Sequence, residues 1–233
     1  MIDISLSGKI SSKPAASLAP LSPAVWSASR RSLRSQQLSL EYGGKNRIRP
    51  GLRKYACDLT LDPNTAHTQI ILEGNTKAVY VKENQLYPDH PERFKKQEQI
   101  LFREPLMGRC YWEAKWSGPG HMGVTYKGIC RDSGTETWFG LNDKSWSLYC
   151  GDQYYTVWYK NNSTDVWGPS ARSNRVGVFL DMSASTLSFY SVSDTNTFTH
   201  LYTLHNTFNN TDNEPLYAGF GVYPESSVTL CKI

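Results

Sequence analysis

The sequence lacks any apolar run close to the roughly 18 residues that a membrane-spanning helix needs. Segments such as Ile70–Leu72 and Val178–Leu180 are among its longest, so no membrane span is expected. Cysteine is sparse: Cys57, Cys110, Cys130, Cys150 and Cys231 are widely spread and form no Cys-x-x-Cys. An odd number argues against a fully paired secreted framework, though it leaves room for one bridge. The simpler expectation is reduced thiols, with Cys110, Cys150 and Cys231 as small buried hydrophobes. The histidines (His67, His90, His121, His200, His205) show no His-Glu-x-x-His or His-x-His spacing and read as satisfied surface residues. No Gly-x-Ser-x-Gly elbow exists, and no Gly-rich loop runs into Lys-Ser/Thr. These absences exclude the recognisable zinc, serine-hydrolase and phosphate-loop chemistries. Neither catalysis nor a cofactor is expected.

Charge of one sign is nearly missing from the start of the chain. Residues 1–54 hold ten Lys/Arg against only Asp3 and Glu41, a net of +8 within a whole-chain +4. The remainder is therefore mildly acidic, which disfavours a basic nucleic-acid-reading domain. The first forty residues hold eleven Ser and one acidic residue, and no helical or strand period spans them. Residues 1–52 are expected to form a disordered leader.

From Tyr55 onward the texture changes. Hydrophobic residues make up 39% of the chain and aromatics 12%, enough for a packed, strand-rich core. In Cys110–Trp116 the even positions are apolar while the odd ones carry Glu113 and Lys115, the mark of a half-buried strand. His121–Tyr126 repeats this with positions 122, 124 and 126 inside. Val176, Val178, Leu180 and Met182 share one face, and the turn Ser183-Ala184-Ser185 leads back through Leu187 and Phe189. Trp146/Leu148/Cys150, Tyr155/Val157/Tyr159, Leu216–Val222 and Val228/Leu230 add strands. Asn84–Lys96, broken by Pro88 and Pro91, reads as a loop. Many short strands with few helical signals predict an all-β antiparallel sandwich. Trp112, Trp116 and Trp146 are assigned to its core.

Two carboxylates invite a functional reading and have a better structural one. Asp62 sits in an Asp-Pro-Asn turn, and Asp181 precedes a hairpin turn that it can hydrogen-bond. The sequons at Asn161, Asn162 and Asn209 matter only in a secreted chain and arise readily in Asn-Ser/Thr turns.

Several motifs go beyond composition. Tyr55-Ala56-Cys57-Asp58-Leu59-Thr60-Leu61-Asp62-Pro63 resembles the opening of a PRY segment, and Glu73-Gly74-Asn75-Thr76-Lys77 its following turn. Arg109-Cys110-Tyr111-Trp112-Glu113-Ala114 is similar to the strand that opens the SPRY half. Leu180-Asp181-Met182 and Pro215-Leu216-Tyr217-Ala218-Gly219-Phe220 resemble later strands of the same family. The lead-in at 43–54 is similar to that of fish PRY-SPRY (B30.2) proteins: tripartite-motif ligases, NACHT immune receptors and stonefish toxin subunits. Ile71-Leu72-Glu73-Gly74 is one residue short of the usual turn. The resemblance implies a concanavalin-like jelly-roll sandwich, with a PRY segment over 53–103 and a SPRY segment over 104–233.

It also implies a protein-interaction module that recognises its target through loops at one end, in innate immunity or ubiquitin-ligase targeting. The runner-up is the C-terminal fragment of a stonefish-toxin-like cytolysin. A ligase component would need a RING that the sequence does not contain. The implied partner is a protein and not nucleic acid, the domain monomeric, the location cytoplasmic, or secreted if toxin-like. The loops are 82–98, 131–136, 151–155, 160–173 and 223–227, with Trp138, Tyr154, Tyr155, Trp158, Tyr159, Trp167 and Tyr223 near their edges and half of these expected in the core. Positions matched to antibody-binding relatives place the partner site at Asp132, Trp158, Lys160, Phe220 and Val222. Strand parity puts Trp158 and Lys160 on one face, opposite Val157 and Tyr159.

Overall fold

The computed structural model describes residues 51–233 except 133, 153, 170–172, 206–207 and 209–213. Residues 1–50, and with them most of the expected leader, lie outside the described residues.

Thirteen strands form two antiparallel sheets. The seven-stranded sheet contains β1 (Ile70–Glu73), β2 (Lys77–Tyr80), β4 (Arg109–Ser117), β9 (Arg175–Asp181), β10 (Thr186–Val192), β11 (Phe198–His205) and β13 (Ser227–Leu230). Its order is β1-β2-β13-β4-β9-β10-β11. The six-stranded sheet contains β3 (Gln99–Leu106), β5 (Gly120–Tyr126), β6 (Ser145–Cys150), β7 (Tyr155–Tyr159), β8 (Asn162–Val166) and β12 (Leu216–Val222). Its order is β3-β12-β5-β6-β7-β8.

Alternation supplies the core, as the sequence predicts. Trp112, Ala114 and Trp116 of β4, with Val176, Val178 and Leu180 of β9, pack in one cluster with Met122 and Val124 of β5 and Trp146 and Leu148 of β6. All three assigned tryptophans are buried. Asn84–Lys96 is loop and turn, and Asp62 accepts the Asn64 backbone N–H at 3.0 Å. Asp181 ties the β9–β10 hairpin: Oδ1 accepts from the Ser183 hydroxyl at 2.6 Å and the Ala184 N–H at 3.0 Å, while Oδ2 takes Arg109 Nε at 2.7 Å.

Three expectations are corrected. Leu52 is not leader: Gly51–Tyr55 is a short 3-10 helix, and Leu52 is buried beneath it. Cys57 and Cys110 are not free thiols but form a disulfide with a Cα–Cα distance of 5.6 Å, while Cys150 stays free and buried. Glu113 does not face solvent; it is 1% exposed. Its Oε1 accepts from Arg53 Nε at 2.8 Å and Tyr111 Oη at 2.9 Å. Arg175 Nε lies 3.4 Å from Oε2, an ion pair without an aligned hydrogen bond. Parity was right about which way Glu113 points, but the lead-in helix and β11 cover that face. Arg53 also lies 5.4 Å over the Phe198 ring.

Candidate functional site

The outward positions of the central strands β5, β6, β7 and β12 carry small, polar and aromatic residues rather than charges. The edge strands β3 and β8 carry Arg103 and Asp165, the latter accepting from the Thr156 hydroxyl at 2.8 Å. Register places the central residues in rows across the strands. His121 of β5 pairs with Tyr149 of β6, which pairs with Thr156 of β7. In the next row Gly123 pairs with Ser147, and Ser147 with Trp158.

Part of this face is covered by the segment 135–141, which lies across it as a strap. Phe139 rests on the backbone itself: a Cβ at Gly123 would sit 2.7 Å from its ring, and one at Gly219 would sit 2.8 Å away. Both positions need glycine for that contact to exist. Phe139, Phe94, Leu101 and Ile129 form a second small core under the strap. Gln99 secures it from β3, donating to the Thr137 carbonyl at 2.7 Å and accepting the Phe139 N–H at 2.9 Å. Gly140, at φ 86°, crosses the Trp158 backbone so closely that a Cβ would meet Trp158 Cβ at 2.4 Å. A glycine is required there by both conformation and space.

Where the strap ends, the face is open. A cavity of about 320 Å³ is lined by His121, Trp138, Phe139, Leu141, Tyr149, Tyr154, Thr156, Trp158 and Tyr223. Tyr149 and Tyr223 meet edge to face at 5.9 Å and 89°, and Trp138 lies 6.4 Å from Tyr223. Below them a hydrogen-bonded chain fixes the floor. The Ser147 hydroxyl donates to the Phe139 carbonyl at 3.0 Å, so towards His121 Nδ1, 3.2 Å away, it can only accept. His121 therefore carries its proton on Nδ1 and accepts the Tyr223 hydroxyl proton at Nε2, at 2.7 Å. Burial pushes the His121 pKa down to about 4, so the ring is neutral at pH 7. Burial, reinforced by Tyr149 and Glu98, holds the Tyr223 phenol well above its ordinary range. The result is a rigid, uncharged aromatic recess with a few polar atoms at its base, the form of a recognition pocket. Among the described residues, no group of three or more His, Cys, Asp or Glu side chains could hold a metal ion.

Comparison with known proteins agrees with this architecture. Residues 59–106 match the SPRY-associated domain, PRY, and residues 109–232 match the SPRY domain. The chain belongs to the PRY-SPRY family. It is 43% identical over 173 residues to stonustoxin subunit beta of Synanceia horrida, covering 72% of this chain and 24% of that one. It is 34% identical over 181 residues to tripartite motif-containing protein 16 of Mus musculus, covering 75% of this chain and 31% of that one. Among solved structures, the TRIM65 PSpry domain matches with a TM-score of 0.70 at 26% identity, over 82% of this chain and 99% of that one. The chain thus spans a quarter to a third of the length of these curated relatives.

Within the PRY-SPRY sandwich, the five residues singled out from sequence do not come together. Trp158 is half-buried and lines the cavity, facing away from the buried Val157 as parity predicts. Lys160 does not share its face. Strand alternation stops at Tyr159, because Lys160 and Asn161 (φ 50° and 60°) form the tight β7–β8 turn. Its ammonium lies 5.3 Å from the Tyr159 ring. Asp132 is exposed and paired with Lys95 at 2.8 Å, outside the cavity lining. Phe220 and Val222 are core residues, 0% and 2% exposed, and Phe220 packs edge to face on Phe102 at 4.9 Å. The outward residue just after β12 is Tyr223, which lines the cavity.

Of the aromatics near loop edges, Trp138, Tyr154, Trp158 and Tyr223 line the cavity. Tyr155 is in the core, Tyr159 packs against it, and Trp167 is exposed. Sequence reasoning missed Tyr149 and misread His121 as a surface residue. The signal for both was present only as outward parity on strands whose partners one sequence does not reveal.

Proposed function

We propose that this PRY-SPRY domain is a protein-binding module whose anchor pocket is the aromatic cavity on the outer face of the six-stranded sheet. The observation that carries this reading is the half-open ring of Trp138, Tyr149, Tyr154, Trp158 and Tyr223 on a rigid floor. Tyr and Trp are the residue types that dominate interface energetics, and a sheet-borne pocket is preorganised for a partner side chain. Trp158 remains the central anchor and Tyr223 replaces Phe220 and Val222. Asp132 and Lys160 are assigned outer contacts that set which partner fits. The domain acts as a monomer without catalysis. Its role is target recognition in innate immunity or ubiquitin-ligase recruitment, in the cytoplasm.

The 43% identity to stonustoxin subunit beta favours a second reading, a terminal recognition domain of a secreted cytolysin-like protein. Both readings use the same pocket.

The test is selection of a displayed random-peptide library on the full chain. Enriched peptides are expected to lose about 2 kcal/mol, roughly thirty-fold, on Trp158→Ala and nothing on Trp167→Ala. Thermal unfolding of each variant is measured alongside. Peptides indifferent to Trp158, or none enriched at all, would refute the placement.

A further inference from the structure

The recess has an electrostatic character that its aromatic composition alone does not convey. Aromatic faces carry negative potential. Trp138, Tyr149, Tyr154, Trp158 and Tyr223 line the cavity with their planes at differing angles, Tyr149 at 89° to Tyr223 and Trp138 at 39° to it. Two carboxylates stand at its margins. Glu98 lines the adjoining crevice together with His121, Trp138 and Tyr223, and Asp152 adjoins Tyr154. Among the described residues, neither Glu98 nor Asp152 forms an ion pair.

The cations of the neighbourhood are engaged elsewhere. Lys95 pairs with Asp132, Lys127 with Glu92, and Lys144 donates to the Gly128 carbonyl at 3.2 Å. Every described cation–π contact is to a ring outside the cavity. His121 on the floor adds no positive charge at neutral pH. Among the described residues, the pocket therefore combines aromatic rings with rim carboxylates that form no ion pair, and no Lys or Arg lines it. The Lys160 ammonium rests on the Tyr159 ring outside it.

We propose that this cavity receives an alkylammonium side chain of a protein partner, best a trimethylated lysine, held against the rings by cation–π attraction. The inference rests on the protein-binding reading above and names the chemistry of the anchor. A quaternary ammonium suits the site because it is positive yet carries no N–H that the apolar walls would leave unpaired. The Glu98 and Asp152 carboxylates add long-range attraction without direct contact. The rings converge on one recess of about 320 Å³ bordered by Trp138, Phe139 and Leu141 of the strap, which favours a single side chain over a bilayer surface.

The experiment titrates the full chain with N-acetyl-trimethyllysine methylamide and with its neutral isostere, in which carbon replaces the quaternary nitrogen. Tryptophan fluorescence and indole NMR shifts report binding. The charged probe is expected to bind roughly tenfold tighter than the isostere. Trp158→Ala and Trp138→Ala should each abolish that preference, and the double variant Glu98→Gln/Asp152→Asn should reduce it several-fold, all with unchanged thermal unfolding.

Equal or tighter binding of the isostere, or no saturable binding of the charged probe, overturns the proposal. So does binding that survives both tryptophan variants. Trp158-dependent binding to phosphatidylcholine vesicles in the absence of trimethyllysine binding overturns it in favour of a lipid headgroup. If selected peptides need Trp158 while the charged probe has no advantage, the protein-binding reading stands and only the cationic anchor falls. If selected peptides are also indifferent to Trp158, both fall.

Discussion

The outer faces of the two sheets begin from the same alternating pattern and are finished in opposite ways. On the seven-stranded sheet, the lead-in helix and β11 seal Tyr111 and Glu113 beneath Arg53, Arg175 and Phe198. The Glu113 carboxylate there is paired and out of water. On the six-stranded sheet, the strap covers Gly123 and Gly219 and stops short, leaving Trp158, Tyr149 and Tyr223 around an open cavity. One face spends its polar residues on holding the chain together. The other holds its aromatics apart on a floor of hydrogen bonds, which is the arrangement of a site.

The largest expected effect lies on the sealed face. Glu113→Gln removes the one carboxylate shared by Arg53 and Arg175 while preserving shape. Breaking a buried pair by deleting one charge is costly because the partner remains desolvated, so a loss of about 4 kcal/mol is expected. Urea unfolding at pH 7 measures it. A loss below about 1 kcal/mol would mean that water reaches the guanidiniums and that the face is not sealed.

How far the sequence leads differs between the same two faces. Alternation identified the inward residues of β4, β5, β6 and β9, and correctly buried Trp112, Trp116 and Trp146. It could not say whether an outward residue meets water, since that depends on distant chain: helix 51–55 for Glu113, the strap for Gly123 and Gly219. Phe220 and Val222 were legible as core, because they share parity with Leu216 and Ala218. The family resemblance placed the partner site on their strand, and named Tyr223, the outward residue just after it, only among the loop-edge aromatics. Lys160 was misplaced because alternation was carried one residue too far, into a turn that Lys-Asn-Asn itself suggests. Nothing local marks Gln99 as the clasp of the strap or Cys57 as the partner of Cys110. Both are set by pairings across 40 and 53 residues of sequence.

The next effect is on the open face and depends on pH. His121 is neutral in the folded protein down to about pH 4, whereas in the unfolded chain it takes a proton near 6.5. Above 6.5 the two states are alike. Between 6.5 and 4 only the unfolded state is protonated, so stability falls as pH is lowered, and below 4 the loss levels off. The total is about 3 kcal/mol. Burial also lowers the pKa values of His67 and His200, which add in the same direction. Asp181, lowered despite its burial by Ser183, Ala184 and Arg109, contributes its loss at lower pH. Stability of His121→Gln should therefore be visibly flatter between pH 6.5 and 4.5 than that of the unaltered chain. Parallel curves would show that the ring is protonated, or reached by water, in the folded state.

The smallest effect belongs to the rings themselves. Tyr154 is 43% exposed and Trp158 is only half-buried, so truncating either removes little surface that folding had hidden from water. The backbone contact of Gly140 against Trp158 involves Cβ, which alanine keeps. Trp158→Ala and Tyr154→Ala should each cost less than about 1 kcal/mol in urea unfolding at pH 7. Trp167→Ala, at a residue 79% exposed, should be indistinguishable from the unaltered chain. The comparison turns on the contrast with Glu113. A loss above about 2 kcal/mol for Trp158→Ala would be the size of a core truncation. The indole would then be part of the packing, and the cavity a gap between packed rings instead of a surface kept open for a partner.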